Sequence, residues 1–161
     1  MTNYNDLPDN CRVWIYQSDR EFTPDEVSDI KVRLGDFVSN WGTHGTQLVA
    51  FADVYHNYFI AFVVDEESMK ATGCSIDASV HLIQDLEREL NLSLLTRTNF
   101  AYKDNGQIKV AAQDDFSELV KNGVVSDETI IFDNLVKNKH DFEEKWEIPF
   151  EKSWHKTLVT K

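Results

Sequence analysis

Residues 23–41, TPDEVSDIKVRLGDFVSNW, form the clearest element of the chain. Thr23 suits the N-cap, Pro24 suits the first helical position, and Glu26 completes a capping box with Thr23. The apolar residues then recur at spacings of three and four and share one stripe: Val27, Ile30, Leu34, Phe37, Val38 and Trp41. The pattern predicts an amphipathic helix that ends at Gly42.

The segments around this helix have the composition of strands. Residues 12–17, RVWIYQ, are rich in β-branched and aromatic side chains and predict a first strand. Two further β-rich runs, residues 47–55 and 58–64, flank His56-Asn57, where the asparagine tolerates a left-handed turn conformation. We therefore predict an antiparallel hairpin after the helix.

A second helix and a second hairpin follow. The helix is predicted from Ser75 or Asp77 to Leu90 by its apolar periodicity. Residues 100–103 and 107–112 flank Asp104-Asn105-Gly106, a strong hairpin signal because Asn-Gly suits two positive φ angles.

The predicted order is β-α-β-β-α-β-β, and its first six elements match the split βαβ pattern. We therefore expect an α+β fold with a ferredoxin-like β-α-β-β-α-β antiparallel sheet sandwich over residues 1–112. Residues 113–161 would form a C-terminal β/α extension, with a short helix at residues 114–122 and a strand at residues 129–132. The length of 161 residues favours a single structural domain in which this extension packs on the same core.

Composition and charge indicate the kind of partner and the cellular compartment. The 28 acidic and 16 basic side chains give a net charge of −12, which repels phosphate backbones and favours a basic protein as partner over nucleic acid. The opening ten residues lack a basic region and an apolar stretch, and the longest apolar run is too short to cross a bilayer. Two cysteines are too few for a disulfide framework. We expect a cytoplasmic protein without membrane insertion, and a homo-oligomer is compatible with the sequence.

The start of the second predicted helix contains the most unusual group of residues: Cys74, Asp77 and His81. At 100° per residue they share a face away from the apolar stripe, where a helix dipole would acidify the thiol. However, Cys74 and His81 lie about 10.5 Å apart along the axis, too far for a direct hydrogen bond. Nucleophilic catalysis would require Cys74 to fold back over the helix, or His44 to supply the base.

Other interpretations of this group remain open. Asp77 and His81 could bind a metal ion, although the sequence indicates no third ligand. Alternatively, Ser75 or Asp77 caps the helix, Cys74 is buried under the C-terminal tail, and His81 bonds Asp77 on the surface. His44, between two glycines, could face a pocket or serve only in the turn that follows the first helix.

Two further features bear on function. The six glycines fit neither GxxxxGK[ST] nor GxGxxG, so the sequence indicates no phosphate-binding loop and no cofactor. The late aromatic residues Trp146 and Trp154 could form an exposed partner-binding stripe or a packed lid.

Four motifs occur in an order that resembles a known family. They are RVWIYQ (12–17), WGTHG (41–45), GCSIDASVH (73–81) and FDNLV (132–136), with Trp146, Pro149 and Trp154 downstream. Over nearly the whole chain this order resembles a family of short, uncharacterised bacterial proteins that commonly carry the label "ABC transporter ATPase". The resemblance implies no established activity, and the missing phosphate loop contradicts the label. Residues 100–146 are also similar to GYF-like adaptor modules, which implies peptide or protein binding.

These observations favour a non-enzymatic protein-interaction or adaptor module that acts through its acidic face or a sheet surface. The alternative is an enzyme or a small-ligand or metal-binding protein centred on Cys74, Asp77 and His81.

Overall fold

The computed structural model describes residues 2–43, 45–67 and 70–159. Within these ranges the chain is a mixture of helix and antiparallel sheet, as an α+β fold requires. The strands are β1 (Arg12–Gln17), β2 (Gly42–Thr43), β3 (Thr46–Gln47), β4 (Val49–Tyr55), β5 (Phe59–Asp65), β6 (Asn99–Asp104), β7 (Gln107–Ala112), β8 (Ile130–Phe132) and β9 (Glu147–Pro149). The α-helices are α1 (Pro24–Asn40), α2 (Gly73–Leu90), α3 (Gln113–Lys121), α4 (Lys139–Lys145) and α5 (His155–Val159).

The first sheet has the strand order β1-β5-β4, and its central strand is buried on both faces. Ile60, Phe62 and Val64 belong to the core that α1 and α2 cover. The alternate residues Phe59 and Ala61 belong to a second core on the opposite face of the sheet. Because successive strand residues point to opposite faces, an unbroken apolar strand places this sheet between two layers.

The second sheet, ordered β7-β6-β8-β9, supplies the layer behind the first. Ala101 and Phe132 pack in the core shared by the two sheets. Phe100 and Ile131 point the other way, toward Phe116 of α3 and the C-terminal segments. The layers therefore run from helix to sheet to sheet to helix, with an apolar core in each of the three gaps.

The specific ferredoxin-like topology is not confirmed. The predicted fourth strand of that sheet, β6, pairs with β7 and β8 in the second sheet. The outer edge of β1 is instead engaged by Lys137–Lys139, through a hydrogen bond of 3.0 Å from the Val13 amide to the Lys137 carbonyl and one of 2.9 Å from the Lys139 amide to the Cys11 carbonyl. The second sheet thus joins strands from both sides of the boundary predicted at residue 112.

The local signals in the sequence are confirmed at α1 and at both long hairpins. Thr23 and Glu26 form the reciprocal capping box of α1. His56 and Asn57 have φ angles of 55° and 60° between β4 and β5, and Asn105 and Gly106 have φ angles of 53° and 78° between β6 and β7. These are the positive angles that two-residue hairpin turns require.

The start of α2 differs from the prediction. The helix begins at Gly73 rather than at Ser75 or Asp77, and its N-cap is Thr72, whose Oγ1 accepts a hydrogen bond of 3.3 Å from the Ser75 amide. The predicted caps were wrong because a threonine two residues before Cys74 satisfies the same orphan amide donors. Cys74 consequently lies in the first turn of the helix, and it is exposed rather than buried under the C-terminal tail.

Lys139 ties the N-terminal segment to α4. Its side chain is only 5% exposed, its Nζ donates a hydrogen bond of 2.7 Å to the Leu7 carbonyl, and it lies 4.5 Å from the centre of the Tyr4 ring. The Tyr4 hydroxyl in turn donates to Glu143 of α4 at 2.8 Å. Residues more than 130 positions apart therefore meet at one end of the two sheets.

Candidate functional site

A cleft of about 70 Å³ lies between the end of β1, the segment before β6 and the loop after β8. Its walls are largely apolar and include Ile15, Leu94, Phe100, Phe132 and Leu135. Its polar lining includes Gln17, Arg97, Asn134 and His155. An apolar pocket with a few converging polar groups is the usual form of a small-ligand site.

Two amide side chains form one wall of the cleft. Gln17 Nε2 donates to the Asn99 carbonyl at 3.1 Å, and Gln17 Oε1 accepts from Asn134 Nδ2 at 2.8 Å. Asn134 Oδ1 accepts from Trp146 Nε1 at 2.9 Å. Each amide therefore has one hydrogen bond at its oxygen and one at its nitrogen, and each retains one acceptor lone pair and one N–H donor. The chain of hydrogen bonds fixes both side chains against the two sheets.

His155, at the start of α5, is the most deeply buried polar residue among those described in the cleft lining, with 2% of it exposed. Its Nδ1 is in close hydrogen-bonding contact with Ser153 Oγ, which also accepts a bond of 3.2 Å from the His155 amide. No other acceptor for the Ser153 hydroxyl lies among the described residues, so we assign its proton to the bond with Nδ1. The ring proton then sits on Nε2, which has no protein partner in the part of the chain that the structure describes.

The protonation of His155 follows from its surroundings. Burial lowers the pKa of the imidazole to about 4, and the carboxylate of Asp133 opposes this shift only weakly. The ring is therefore neutral near pH 7. A buried neutral imidazole with a free Nε2–H is a hydrogen-bond donor that carries no charge.

Trp154 holds the imidazole in place. The two rings are stacked with their centres 3.8 Å apart, and the edge of Phe100 approaches the imidazole with a centroid separation of 4.6 Å. Trp154 Nε1 donates to Asp133 Oδ1 at 2.9 Å, which fixes the indole and occupies that carboxylate oxygen. The orientation of His155 is therefore set by rings on two sides and by a hydroxyl at Nδ1.

Arg97 is the one charged residue among those that line the cleft, and it is exposed. Within the described ranges its guanidinium forms no salt bridge with a carboxylate. Its charge does reach Tyr16, where it lowers the pKa of the phenol against the larger effect of burial, which raises it. In a chain with 28 acidic side chains, the described lining of this cleft differs from the average surface in holding an arginine and no carboxylate.

The polar side chains of the cleft are placed as hydrogen-bonding groups. Ser153 is 6% exposed and its hydroxyl is directed at Nδ1, so it is not presented to a substrate as a nucleophile. Among the residues that the structure describes, no carboxylate lines the cleft. Across the described residues, no group of three or more His, Cys, Asp or Glu side chains is placed to hold a metal ion.

The site residues predicted from sequence lie elsewhere. Cys74, Asp77 and His81 are all exposed on α2, and none of them lines the cleft. Cys74 and His81 lie on the same continuous helix, so the rise per residue keeps them about 10.5 Å apart along its axis. His44 lies outside the described residues.

The two late tryptophans have different surroundings. Trp146 is 4% exposed and packs between Phe59 and Phe132, with ring centroids 4.9 and 5.1 Å away. It is therefore a core residue rather than part of an exposed stripe. Trp154 is half-buried and lines the cleft beside His155, which is the packed arrangement that the sequence allowed as the alternative.

The sequence analysis missed Gln17, Arg97, Asn134 and His155. One signal was available, because Gln17 ends an otherwise apolar strand and a buried amide needs partners. Nothing in the local sequence indicated that residues 82 and 117 positions away would supply those partners.

No protein-family model, no curated protein and no solved structure matches the chain. Among the described helices, none combines the length and the apolar character needed to cross a membrane.

Proposed function

We propose that the protein is a non-catalytic binding protein that holds a small organic molecule in the cleft between its two sheets. The observation that carries the proposal is His155, a buried imidazole whose Nε2 has no protein partner in the described chain and which lines the cleft. Among the described residues no fully buried side-chain nitrogen or oxygen lacks a hydrogen-bond partner, so Nε2 is accessible from the cleft and can donate to a ligand or to ordered water.

The packing around the cleft supports the same role. Gln17 and Asn134 are held by hydrogen bonds, and His155 is held between Trp154 and Ser153. Polar groups that are fixed before a ligand arrives reduce the entropy lost on binding.

The proposal can be tested by NMR with uniformly ¹⁵N-labelled protein and a panel of small organic fragments, both neutral and charged. We expect fragments to shift the side-chain amide signals of Gln17 and Asn134 together with the His155 ring signals. A His155→Phe variant, which keeps a ring in place but removes Nε2, should lose these shifts, whereas His81→Gln on exposed α2 should keep them. A panel that leaves the cleft signals unmoved at millimolar concentrations would refute the proposal.

A second candidate function is binding of a basic protein through the acidic surface, in a cytoplasmic setting. Its support is the charge of −12 and the exposed carboxylates Asp114 and Asp115 in the first turn of α3. Both faces of the first sheet and both faces of the second are covered, so a partner would meet helices and loops rather than an open sheet.

Affinity capture from a cell extract at low and high salt tests this second candidate. A partner bound through surface charge should be retained at low ionic strength, released at high ionic strength and lost with Asp114→Asn/Asp115→Asn. Failure to recover any reproducible, salt-sensitive partner would count against it.

A further inference from the structure

The polar groups of the cleft offer more hydrogen-bond donors than acceptors. The oxygens of Gln17 and Asn134 already accept hydrogen bonds, from Asn134 and Trp146. The remaining N–H groups of these amides, together with His155 Nε2–H, are donors. Each amide oxygen also retains one lone pair, so the excess of donors in the cleft comes from His155 Nε2–H and from Arg97.

Arg97 adds charge to this surplus of donors. Its guanidinium carries five N–H donors, and within the described ranges no carboxylate forms a salt bridge with it. Among the described residues that line the cleft, His155 is the only other one that can carry a positive charge, and it is neutral near pH 7. The Asp133 carboxylate lies near enough to act on His155, but it accepts hydrogen bonds from Trp154 Nε1 and from the Leu135 amide. The described lining itself holds a cation and no carboxylate, which favours an anionic ligand group over a neutral one.

The volume limits the size of the enclosed group. A cavity of 150 Å³ lined by apolar side chains holds benzene, so 70 Å³ corresponds to about three non-hydrogen atoms. A carboxylate group, with its carbon and two oxygens, has that size. Any further part of the ligand would lie along the apolar rim, where Leu135 is 54% exposed.

We infer that the ligand of this cleft is an organic monocarboxylate with a short apolar stem. The inference rests on the proposed small-molecule function and names its ligand class. Arg97 supplies the charge that recognises the carboxylate, His155 Nε2–H and the free amide N–H groups donate neutral hydrogen bonds, and Leu94, Phe132 and Leu135 contact the stem. A free small acid and the C-terminal carboxylate of a peptide share this chemistry.

Matched probes test the inference at low, fixed ionic strength. Butyrate and butyramide have nearly the same shape and differ in charge, and NMR titration of the cleft signals gives a dissociation constant for each. We expect butyrate to bind at least about tenfold more tightly, because hydrogen bonds to a charged group are about twice as strong as neutral ones. Arg97→Gln should reduce this advantage to less than about threefold, whereas Arg88→Gln on the exposed face of α2 should preserve it.

The possible results separate the two proposals. Equal affinities for acid and amide, or binding of neutral fragments only, would overturn the carboxylate assignment while leaving small-molecule binding intact. Absence of binding by both probes and by the entire fragment panel would overturn both. An N-acetylated tripeptide with a free or an amidated C-terminus distinguishes the source of the carboxylate. If the free-carboxylate peptide binds more tightly than butyrate, the ligand is a peptide terminus. If butyrate binds more tightly than the peptide, the ligand is a free acid.

Discussion

Asn134 Nδ2 donates a hydrogen bond of 2.8 Å to Gln17 Oε1, and this bond joins β1 of the first sheet to the loop after β8 of the second. The two residues lie 117 positions apart in the chain. Trp146 extends the link through its own bond to Asn134. The same pair of side chains thus forms the polar contact between the two sheets and one wall of the cleft.

We expect Asn134→Ala to lower the free energy of unfolding by about 1–3 kcal/mol, because it leaves Gln17 Oε1 and Trp146 Nε1 without partners in a buried setting. Urea denaturation measures this change. A double-mutant cycle with Gln17→Ala should give a coupling energy of about 0.5 kcal/mol or more. Asn40→Ala, at the exposed end of α1, is the control, and additive single effects would show that the 2.8 Å bond is not energetically important.

His155 should make the protein less stable in acid. Its folded pKa of about 4 lies below the unfolded value of about 6.5. Above pH 6.5 both states are neutral, but between pH 6.5 and 4 the unfolded chain binds a proton that the folded chain excludes. Stability therefore falls with pH in that window, by up to about 3 kcal/mol.

This loss of stability in acid can be measured by urea denaturation between pH 7.5 and 4.5. His155→Gln should flatten the profile over this range, and His81→Gln, on the surface of α2, should not. The carboxyl of Glu26, whose pKa the Arg20 hydrogen bond lowers to about 2, loses its contribution only below pH 4.5 and so lies outside the window. Parallel profiles for the native chain and His155→Gln would contradict the prediction.

The two cysteines should differ in reactivity toward a thiol reagent. Cys74 is exposed, whereas Cys11 is 1% exposed and burial raises the pKa of its thiol to about 11. We expect one thiol per folded chain to react at pH 8 and two per chain in denaturant, since the thiolate is the reactive form. Mass spectrometry should place the first label on Cys74, and Cys74→Ser should abolish labelling of the folded protein.

Thr72 should be the residue that caps α2. Thr72→Ala removes the acceptor for the Ser75 amide and should cost about 1 kcal/mol of stability. Asp77→Ala, in the second turn of the same helix, should change stability by less than about 0.5 kcal/mol. The reverse order in thermal or chemical denaturation would restore Asp77 as the cap.

The features that sequence predicted are those determined by neighbouring residues. The Thr23–Glu26 capping box, the His56-Asn57 turn and the Asn105-Gly106 turn each depend on a few consecutive side chains and on the φ angles that they tolerate. Mixed helix and antiparallel sheet follow from the same local patterns.

The partner of β6 could not be predicted in this way. Its alternating faces, Ala101 toward the first sheet and Phe100 toward α3, show only that the strand is buried on both sides. Whether it pairs with β1 or with β8 depends on the segment Lys137–Lys139, which takes the edge of β1. The cleft was missed for a related reason, because the polar residues singled out in it come from four separate segments of the chain: Gln17, Arg97, Asn134 and His155.

The contact between Lys139 and the Leu7 carbonyl has a consequence for synthesis on the ribosome. The edge of the first strand and the apolar underside of the first sheet remain uncovered until residues 130–146 have been translated, because those residues supply their cover. A nascent chain that stalls earlier exposes an unpaired strand edge beside Val13 and Ile15, the type of surface that promotes aggregation. The first sheet of this protein can therefore complete its packing only after residues 130–146 have been synthesised.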